Sequence, residues 1–244
     1  MRRPGLRSRR LRSRGLRPRA LRRSCAAACV ALLALAPAGV LTDGAAGQTL
    51  EDRVRSAGEG PVRFAFEARE GVCGRAESVW ISDDARRPGG ACDCPCRSGP
   101  VRVELRDLRD GLPGSLDARV GSDWPDPTGP RAGRSPVELG MVPPSEAVDY
   151  LLELAANASG DVGEEAVSTA TLARDVEEWP RLLTLARDGS IPRDTRRAAV
   201  FWLGQAAEEA ATRGLVSVVE DAGAIEIREH AIFALSQRDD EAAF

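Results

Sequence analysis

Residues 196–205, RRAAVFWLGQ, recur 32 positions later as residues 228–237, REHAIFALSQ. Six of the ten positions match when a valine paired with an isoleucine is counted, and the matched apolar residues fall at helical spacing. A repeat of this length indicates a helical unit that cannot bury its apolar face alone and therefore stacks on its neighbours. The predicted core between repeats consists of Ala199, Val200, Leu203, Ala231, Ile232 and Leu235.

Helical periodicity also extends to the amino-terminal side of this repeat. Apolar residues recur three and four positions apart after Ser145, which is a good helix cap, and again through residues 164–174 and after Trp179. Leu182 and Leu215 lie 33 residues apart and open similar leucine-rich stretches, so both helices of each pair recur. We therefore expect paired helices throughout the carboxyl-terminal part of the chain.

Two aromatic residues lie outside the main apolar stripe of the first copy. Phe201 and Trp202 occupy flanks of the predicted helix. A helix that is apolar on more than one side is usually packed between neighbours. The favoured interpretation is an inner unit of a stack, and the alternative is an exposed aromatic patch that binds a partner.

The repeated segments also resemble a known family. Residues 195–205 and 227–237 each carry the arginine and then the alanine that open a repeat helix, and on these segments residues 145–244 resemble HEAT repeats. The whole chain resembles exported bacterial HEAT-repeat proteins of unknown function. The resemblance implies an α-α helical solenoid that serves as a scaffold, without a catalytic role or a cofactor. It also predicts an array truncated at its carboxyl terminus, because the chain ends where a second repeat helix should begin.

The period changes to two in the middle of the chain. Val62, Phe64 and Phe66 alternate with polar or small residues, as strands with one buried face do. We assign residues 48–120 to a small β-rich module with a marginal core that a covalent link would stabilise. The proline- and glycine-rich residues 121–144 are predicted to form a linker to the helices. The predicted fold class is therefore α+β.

Four cysteines belong to the β-rich module: Cys73, Cys92, Cys94 and Cys96. In an exported chain these thiols should oxidise. We favour a disulfide between Cys73 and Cys96, because it would hold the start of the strand at Val101, with Cys92 and Cys94 as a second pair or as free thiols. The alternatives are a thiol-redox centre or a metal site built on Cys92, Cys94 and Cys96.

The amino terminus has the three-part pattern of a signal peptide. Residues 1–47 contain 11 arginines, an apolar block at residues 26–41, and the small residues Ala45 and Gly47 at a cleavage point. We expect the protein to be exported to the periplasm or the extracellular space. The alternative is an uncleaved anchor, in which case the protein would be a membrane-anchored regulator.

The remainder of the chain is strongly acidic. Residues 48–244 contain 23 arginines, no lysine, and 36 acidic residues. This balance argues against binding to nucleic acid, whose phosphates require a cationic surface, and it suits a basic partner.

The sequence offers little that could support catalysis. His230 is the single histidine, and we assign it a structural role on a helix. A histidine-based metal centre or a catalytic triad would depend on this residue alone, and no glycine-rich phosphate loop occurs. We therefore expect a non-enzymatic, exported scaffold for protein–protein interaction in the cell envelope, with no cofactor and with an unidentified protein partner.

Overall fold

The structure is a computed structural model that describes residues 47–75, 78–81, 96–121, 123–124, 134–158, 160–206 and 208–238. These residues form helices and strands in one chain, which confirms the mixed α+β class. Most of the predicted signal peptide lies outside the described residues, as do Cys92 and Cys94. The roles assigned to those parts of the chain therefore stay predictions.

The six described strands are β1 (Val62–Phe66), β2 (Val72–Arg75), β3 (Ser78–Ile81), β4 (Val101–Arg106), β5 (Ser115–Val120) and β6 (Val137–Met141). Four of them form one sheet in the order β5-β4-β1-β6, and β2 pairs with β3 in a separate hairpin. β4 runs antiparallel to both β1 and β5, whereas β6 runs parallel to β1. Val62 and Phe66 of β1 and Val101 and Val103 of β4 are fully buried, but Ala65 and Glu104 are buried as well, so the alternation of buried and exposed residues is incomplete.

The predicted linker at residues 121–144 is wrong at its carboxyl end. β6 lies inside that range and pairs with β1, with Val62 opposite Val137 and Ala65 opposite Met141. The strand escaped prediction because its side chains are exposed or half-buried on both faces, so its sequence has no alternation.

A short first helix was also missed. The helix α1 (Leu50–Ser56) begins at Thr49, whose side chain accepts a hydrogen bond from the backbone of Asp52, while the carboxylate of Asp52 accepts one from the backbone of Thr49. Leu50 and Val54 are the buried positions of this helix. The reciprocal cap is visible in the sequence, but two apolar residues are too few to predict a helix from periodicity.

The remaining described helices are α2 (Pro144–Asn157), α3 (Asp161–Ala170), α4 (Trp179–Arg187), α5 (Arg193–Gln205), α6 (Glu209–Asp221) and α7 (Ile225–Ser236). Each packs against the next as a pair, α2 with α3, α4 with α5 and α6 with α7. α3, α5 and α7 also pack side by side. Within the described chain no helix has both the length and the apolar content that crossing a bilayer requires, and α2, the longest, has 14 residues.

The sheet and the helices share one hydrophobic core, although the sequence assigns them to separate segments. The backbone N–H of Arg69 donates to the carbonyl of Leu172 at 2.8 Å, and the rings of Phe64 and Tyr150 meet edge to face with centroids 6.0 Å apart. The chain from Asp43 to Phe244 clusters as one compact unit. The local change of period in the sequence marks a change of secondary structure rather than a domain boundary.

α5 ends at Gln205 and α6 begins at Glu209, so the two are separate helices. At the end of α5, the Arg238 guanidinium donates to the carbonyls of Leu203, Gly204 and Ala206 at 3.2, 3.2 and 2.5 Å. These are carbonyls that the end of a helix leaves without intrahelical partners. A cation from the segment after α7 thus closes the end of α5, favoured by the negative end of its dipole.

One predicted core residue is wrong. Ala199, Val200, Leu203 and Ala231 are fully buried, and Leu235 is half-buried, but 54% of Ile232 is exposed. α5 has α3, α4, α6 and α7 packed around it, whereas among the described elements α7 packs against α5 and α6. The face of α7 that carries Ile232 therefore has no described neighbour to cover it, although the equivalent face of α5 has one.

Candidate binding groove

An open groove of about 960 Å³ lies across α3, α5 and α7. α5 and α7 approach closely at Gly204, where an added Cβ would lie 2.9 Å from the Cβ of Ala234. Small residues at this contact let the two helices pack tightly. Their larger side chains therefore project together onto the grooved surface.

Aromatic side chains form the apolar part of the groove. Phe201 is 52% exposed and Phe233 is 60% exposed. Trp202 is half-buried against the core, meets the ring of Phe201 edge to face at 5.3 Å, and donates its indole N–H to Ser168 Oγ at 3.2 Å. The favoured expectation that Phe201 is packed between neighbouring helices is wrong, and the alternative of an exposed aromatic patch describes this residue.

The repeat continues onto this exposed surface. Phe201 and Phe233 are equivalent positions of the two copies, as are Gln205 and Gln237, and all four side chains line the groove. Buried positions recur in a repeat because the packing between helices recurs. Packing alone does not explain why exposed phenylalanine and glutamine recur at these positions.

The charged side chains of the groove are mostly acidic. Glu164, Asp194 and Glu229 contribute carboxylates, and Arg197 contributes one guanidinium. Arg197 Nε donates to His230 Nε2 at 2.8 Å, and its Nη1 lies 3.4 Å from Asp194 Oδ1. The cation of the groove is therefore engaged by two neighbours.

The hydroxyl of Ser168 is the natural candidate for a nucleophile in this groove. It donates to the carbonyl of Glu164 at 3.1 Å and accepts from the indole of Trp202 at 3.2 Å. A nucleophilic serine needs a general base within hydrogen-bonding reach of its oxygen. His230, whose Nε2 accepts from Arg197, makes no hydrogen bond to Ser168 among those of the described residues.

The cysteines form a second candidate site, away from the groove. Cys73 in β2 and Cys96 before β4 are joined by a disulfide with their Cα atoms 5.6 Å apart, which is the pairing the sequence favours. The next residues are paired as well, because Gly74 and Arg97 exchange backbone hydrogen bonds of 3.0 and 2.9 Å. The disulfide thus ties the β2–β3 hairpin to the segment that leads into the main sheet.

Among the residues that the structure describes, no group of three or more histidine, cysteine or acidic side chains is arranged to hold a metal ion. The proposed metal ligands Cys92 and Cys94 are outside the described residues. Comparisons of this chain with protein-family models, with curated proteins and with solved structures give no match.

The acidic groups and the glutamines of this groove were not predicted from the sequence, and His230 was predicted to have only a structural role. A signal was available, because Phe201 and Gln205 lie four residues apart and so share one face of α5. Ala199 and Leu203 define a different face of the same helix. The two copies therefore match on the groove face as well as on the core face.

Proposed function

We propose that this protein is an exported, non-enzymatic scaffold of HEAT-type repeats that binds another protein in the cell envelope. The groove across α3, α5 and α7 is its binding surface. The observation that carries the proposal is the exposure of Phe201 and Phe233 at equivalent positions of one groove. Exposed aromatic side chains are the residues from which protein interfaces draw much of their binding energy.

The arrangement of the helices supports the repeat part of the proposal. α2 with α3, α4 with α5 and α6 with α7 form successive pairs, and the second helices of the pairs stand side by side. Ala199 and Ala231 are equally buried at equivalent positions. The exposure of Ile232 weighs against strict equivalence of α5 and α7, because Val200 is buried at the matching position of α5. A further helix packed on α7 would make the two positions equivalent.

The hydrogen bonds of the groove support a binding role over a catalytic one. The Ser168 hydroxyl bonds to Glu164 and Trp202, and the His230 ring bonds to Arg197. None of these hydrogen bonds joins Ser168 to His230. Export is supported by the signal-like pattern of residues 1–47.

Substitution tests this function better than truncation, because the sheet and the helices share a core and removal of residues 1–143 would expose it. The full chain would be used to capture partners from the envelope fraction. Phe201→Ala with Phe233→Ala should abolish capture, whereas Ile225→Ala with Ile232→Ala should not. The control pair also removes two exposed apolar side chains, 61% and 54% exposed, that do not line the groove. Equal capture by both variants would contradict the groove as the binding surface.

A thiol-redox function is the second candidate. The observation that favours it is the pairing of Cys73 with Cys96, which leaves Cys92 and Cys94 as a C-x-C pair without those partners. Alkylation of the native protein followed by mass mapping distinguishes the candidates. Two fast-reacting thiols at Cys92 and Cys94 would support redox chemistry, and a second disulfide resistant to mild reductant would oppose it.

A membrane-anchored regulator is the third candidate, and it depends on residues 26–41. Amino-terminal sequencing of the exported protein decides it. A mature end near residue 48 supports the free scaffold, whereas retention of residues 26–41 in a membrane fraction supports the anchor.

A further inference from the structure

The groove carries a more specific inference, which rests on the proposed function. We infer that its occupant is an extended, arginine-bearing peptide segment in the polyproline II conformation, with arginines three residues apart. The segment crosses α5 and α7, so that successive arginines meet equivalent positions of the two helices. Charge, aromatic exposure and helix spacing each contribute one part of this inference.

The charge of the groove favours a cationic ligand. Asp194 is already paired with Arg193 and Arg197, whereas Glu164 and Glu229 are exposed carboxylates with no ion pair among the described residues. The acidic excess of residues 48–244 adds a long-range field of the same sign. An acidic segment would meet repulsion, and a purely apolar one would leave the carboxylates without new partners.

The aromatic residues favour arginine over lysine as the source of that charge. Phe201 and Phe233 present exposed rings beside the carboxylates. A guanidinium stacks on an aromatic face while it bonds to a carboxylate, and its aliphatic stem covers apolar surface. One arginine side chain can therefore contact both the aromatic rings and the carboxylates of the groove.

The glutamines indicate an extended backbone. Gln205 and Gln237 each offer an amide donor and an amide acceptor at equivalent positions of the groove. The backbone of an α-helical ligand has already paired its own N–H and C=O groups, whereas the backbone of an extended ligand keeps groups free for such amides. The glutamines are therefore suited to hold an extended segment.

The spacing of packed helices is compatible with the polyproline II form. Packed helices generally stand about 8–10 Å apart, and we take the short end of this range for α5 and α7 because they approach closely at Gly204. A polyproline II helix has three residues per turn and a rise of about 3.1 Å, which returns a side chain to the same face about every 9 Å. In a β-strand the same face recurs about every 7 Å, which lies below this range.

Three acetylated nonapeptides test this inference by fluorescence anisotropy with the purified full chain. The first contains three Pro-Pro-Arg triplets, the second has glutamate in place of arginine, and the third places six prolines before three consecutive arginines. The first and third have equal composition and charge, so general attraction to an acidic protein affects them equally. We expect the spaced arginine peptide to bind about tenfold more tightly than the clustered one and to bind far more tightly than the glutamate peptide.

Charge variants locate the binding. Glu164→Gln with Glu229→Gln should weaken binding of the spaced peptide about fivefold, as expected for the loss of two exposed ion pairs. Glu220→Gln with Glu226→Gln is the matched control, because it removes the same charge from exposed positions outside the groove and should change the affinity less than twofold.

Three results would overturn the inference: equal affinity for the spaced and clustered peptides, equal effects of the two charge variants, or no binding of the spaced peptide at millimolar concentration. The proposed function fails by a different result, namely unchanged capture of envelope partners by the variant that lacks both groove phenylalanines. Capture that depends on these phenylalanines, together with indifference to arginine peptides, would overturn this inference alone.

Discussion

The two copies of the repeated segment have nearly the same pattern of residues but different surroundings. In α5, Val200 and Leu203 are fully buried, because four helices pack around that copy. In α7, Ile232 is 54% exposed and Leu235 is half-buried, since two of the described helices pack against it. The difference shows that burial of a repeated residue depends on how many neighbours its helix has, and not on the residue itself.

The groove side of the same helices behaves differently. Phe201 and Phe233 are exposed to similar extents, and Gln205 and Gln237 are both exposed. Because this surface faces solvent in both copies, the missing neighbour of α7 does not alter it. The comparison therefore separates a core face, whose state varies between copies, from a groove face, whose state is constant.

The largest expected effect concerns the leucines of the two copies. Leu203→Ala should lower the free energy of unfolding by about 3 kcal/mol, because it opens a cavity among four helices. Leu235→Ala should cost about 1 kcal/mol, because the surroundings of the half-buried side chain can relax and refill with water. Urea denaturation measures both values, and equal losses would contradict the difference between the copies.

The next effect concerns the link between the copies. Arg238→Met keeps the apolar stem but removes the guanidinium that closes the end of α5, and it should cost about 2 kcal/mol. Amide exchange should become faster in the last turn of α5. Arg213→Met, which removes an exposed pair with Glu209, is the control and should cost less than about 0.5 kcal/mol. A loss at Arg238 no larger than the control would show that the cap contributes nothing to stability.

A smaller effect is expected where the copies carry valine and isoleucine. Val200→Ala should lower the free energy of unfolding by about 1.5 kcal/mol, because the side chain is fully buried. Ile232→Ala removes a larger side chain but should cost less than about 0.5 kcal/mol, because that side chain is mostly exposed. Thermal unfolding of the two variants compares them directly. A greater loss at Ile232 would mean that a further element covers α7 in solution.

The smallest effect concerns the carboxylates before α4 and α6. Burial raises the pKa of Glu178 above its ordinary value of 4.5, with further repulsion from Glu208 and Glu177, and a backbone hydrogen bond and Arg69 oppose this rise. The native state thus keeps a proton that the unfolded chain has lost. The free energy of unfolding therefore falls as the pH rises from about 4.5 through the raised pKa.

Glu178→Gln should remove that decline, because glutamine resembles the neutral acid at every pH. We expect the variant to be more stable than the natural chain at pH 7, by an amount that partial solvation keeps small, and equal to it at pH 3.5. Glu220→Gln, at an exposed position that does not contribute to this shift, serves as the matched change. Urea denaturation at the two pH values gives the comparison, and a stabilisation that is the same at both would exclude proton linkage as its cause.

Much of the local structure was predictable from the residues. The alternation around Val62 and Val101 marked strands, and the apolar spacing from Ala199 to Leu203 marked a helix, because these periods are properties of a short segment. The pairing of Cys73 with Cys96 was also accessible, since it needed only the position of the following strand. β6 was not accessible, because an edge strand with both faces exposed leaves no period in its sequence.

The sequence by itself determined the α+β class and the course of most helices and strands, because these depend on local periods. It also determined the equivalence of Phe201 with Phe233, because the repeat aligns them. Only the tertiary structure decided that the sheet and the helices share a core, that Ile232 is exposed where Val200 is buried, and that Glu164 meets Glu229 in one groove. These depend on contacts between distant segments. A residue's burial and its partners are set by what packs against its helix, and no local pattern contains that information.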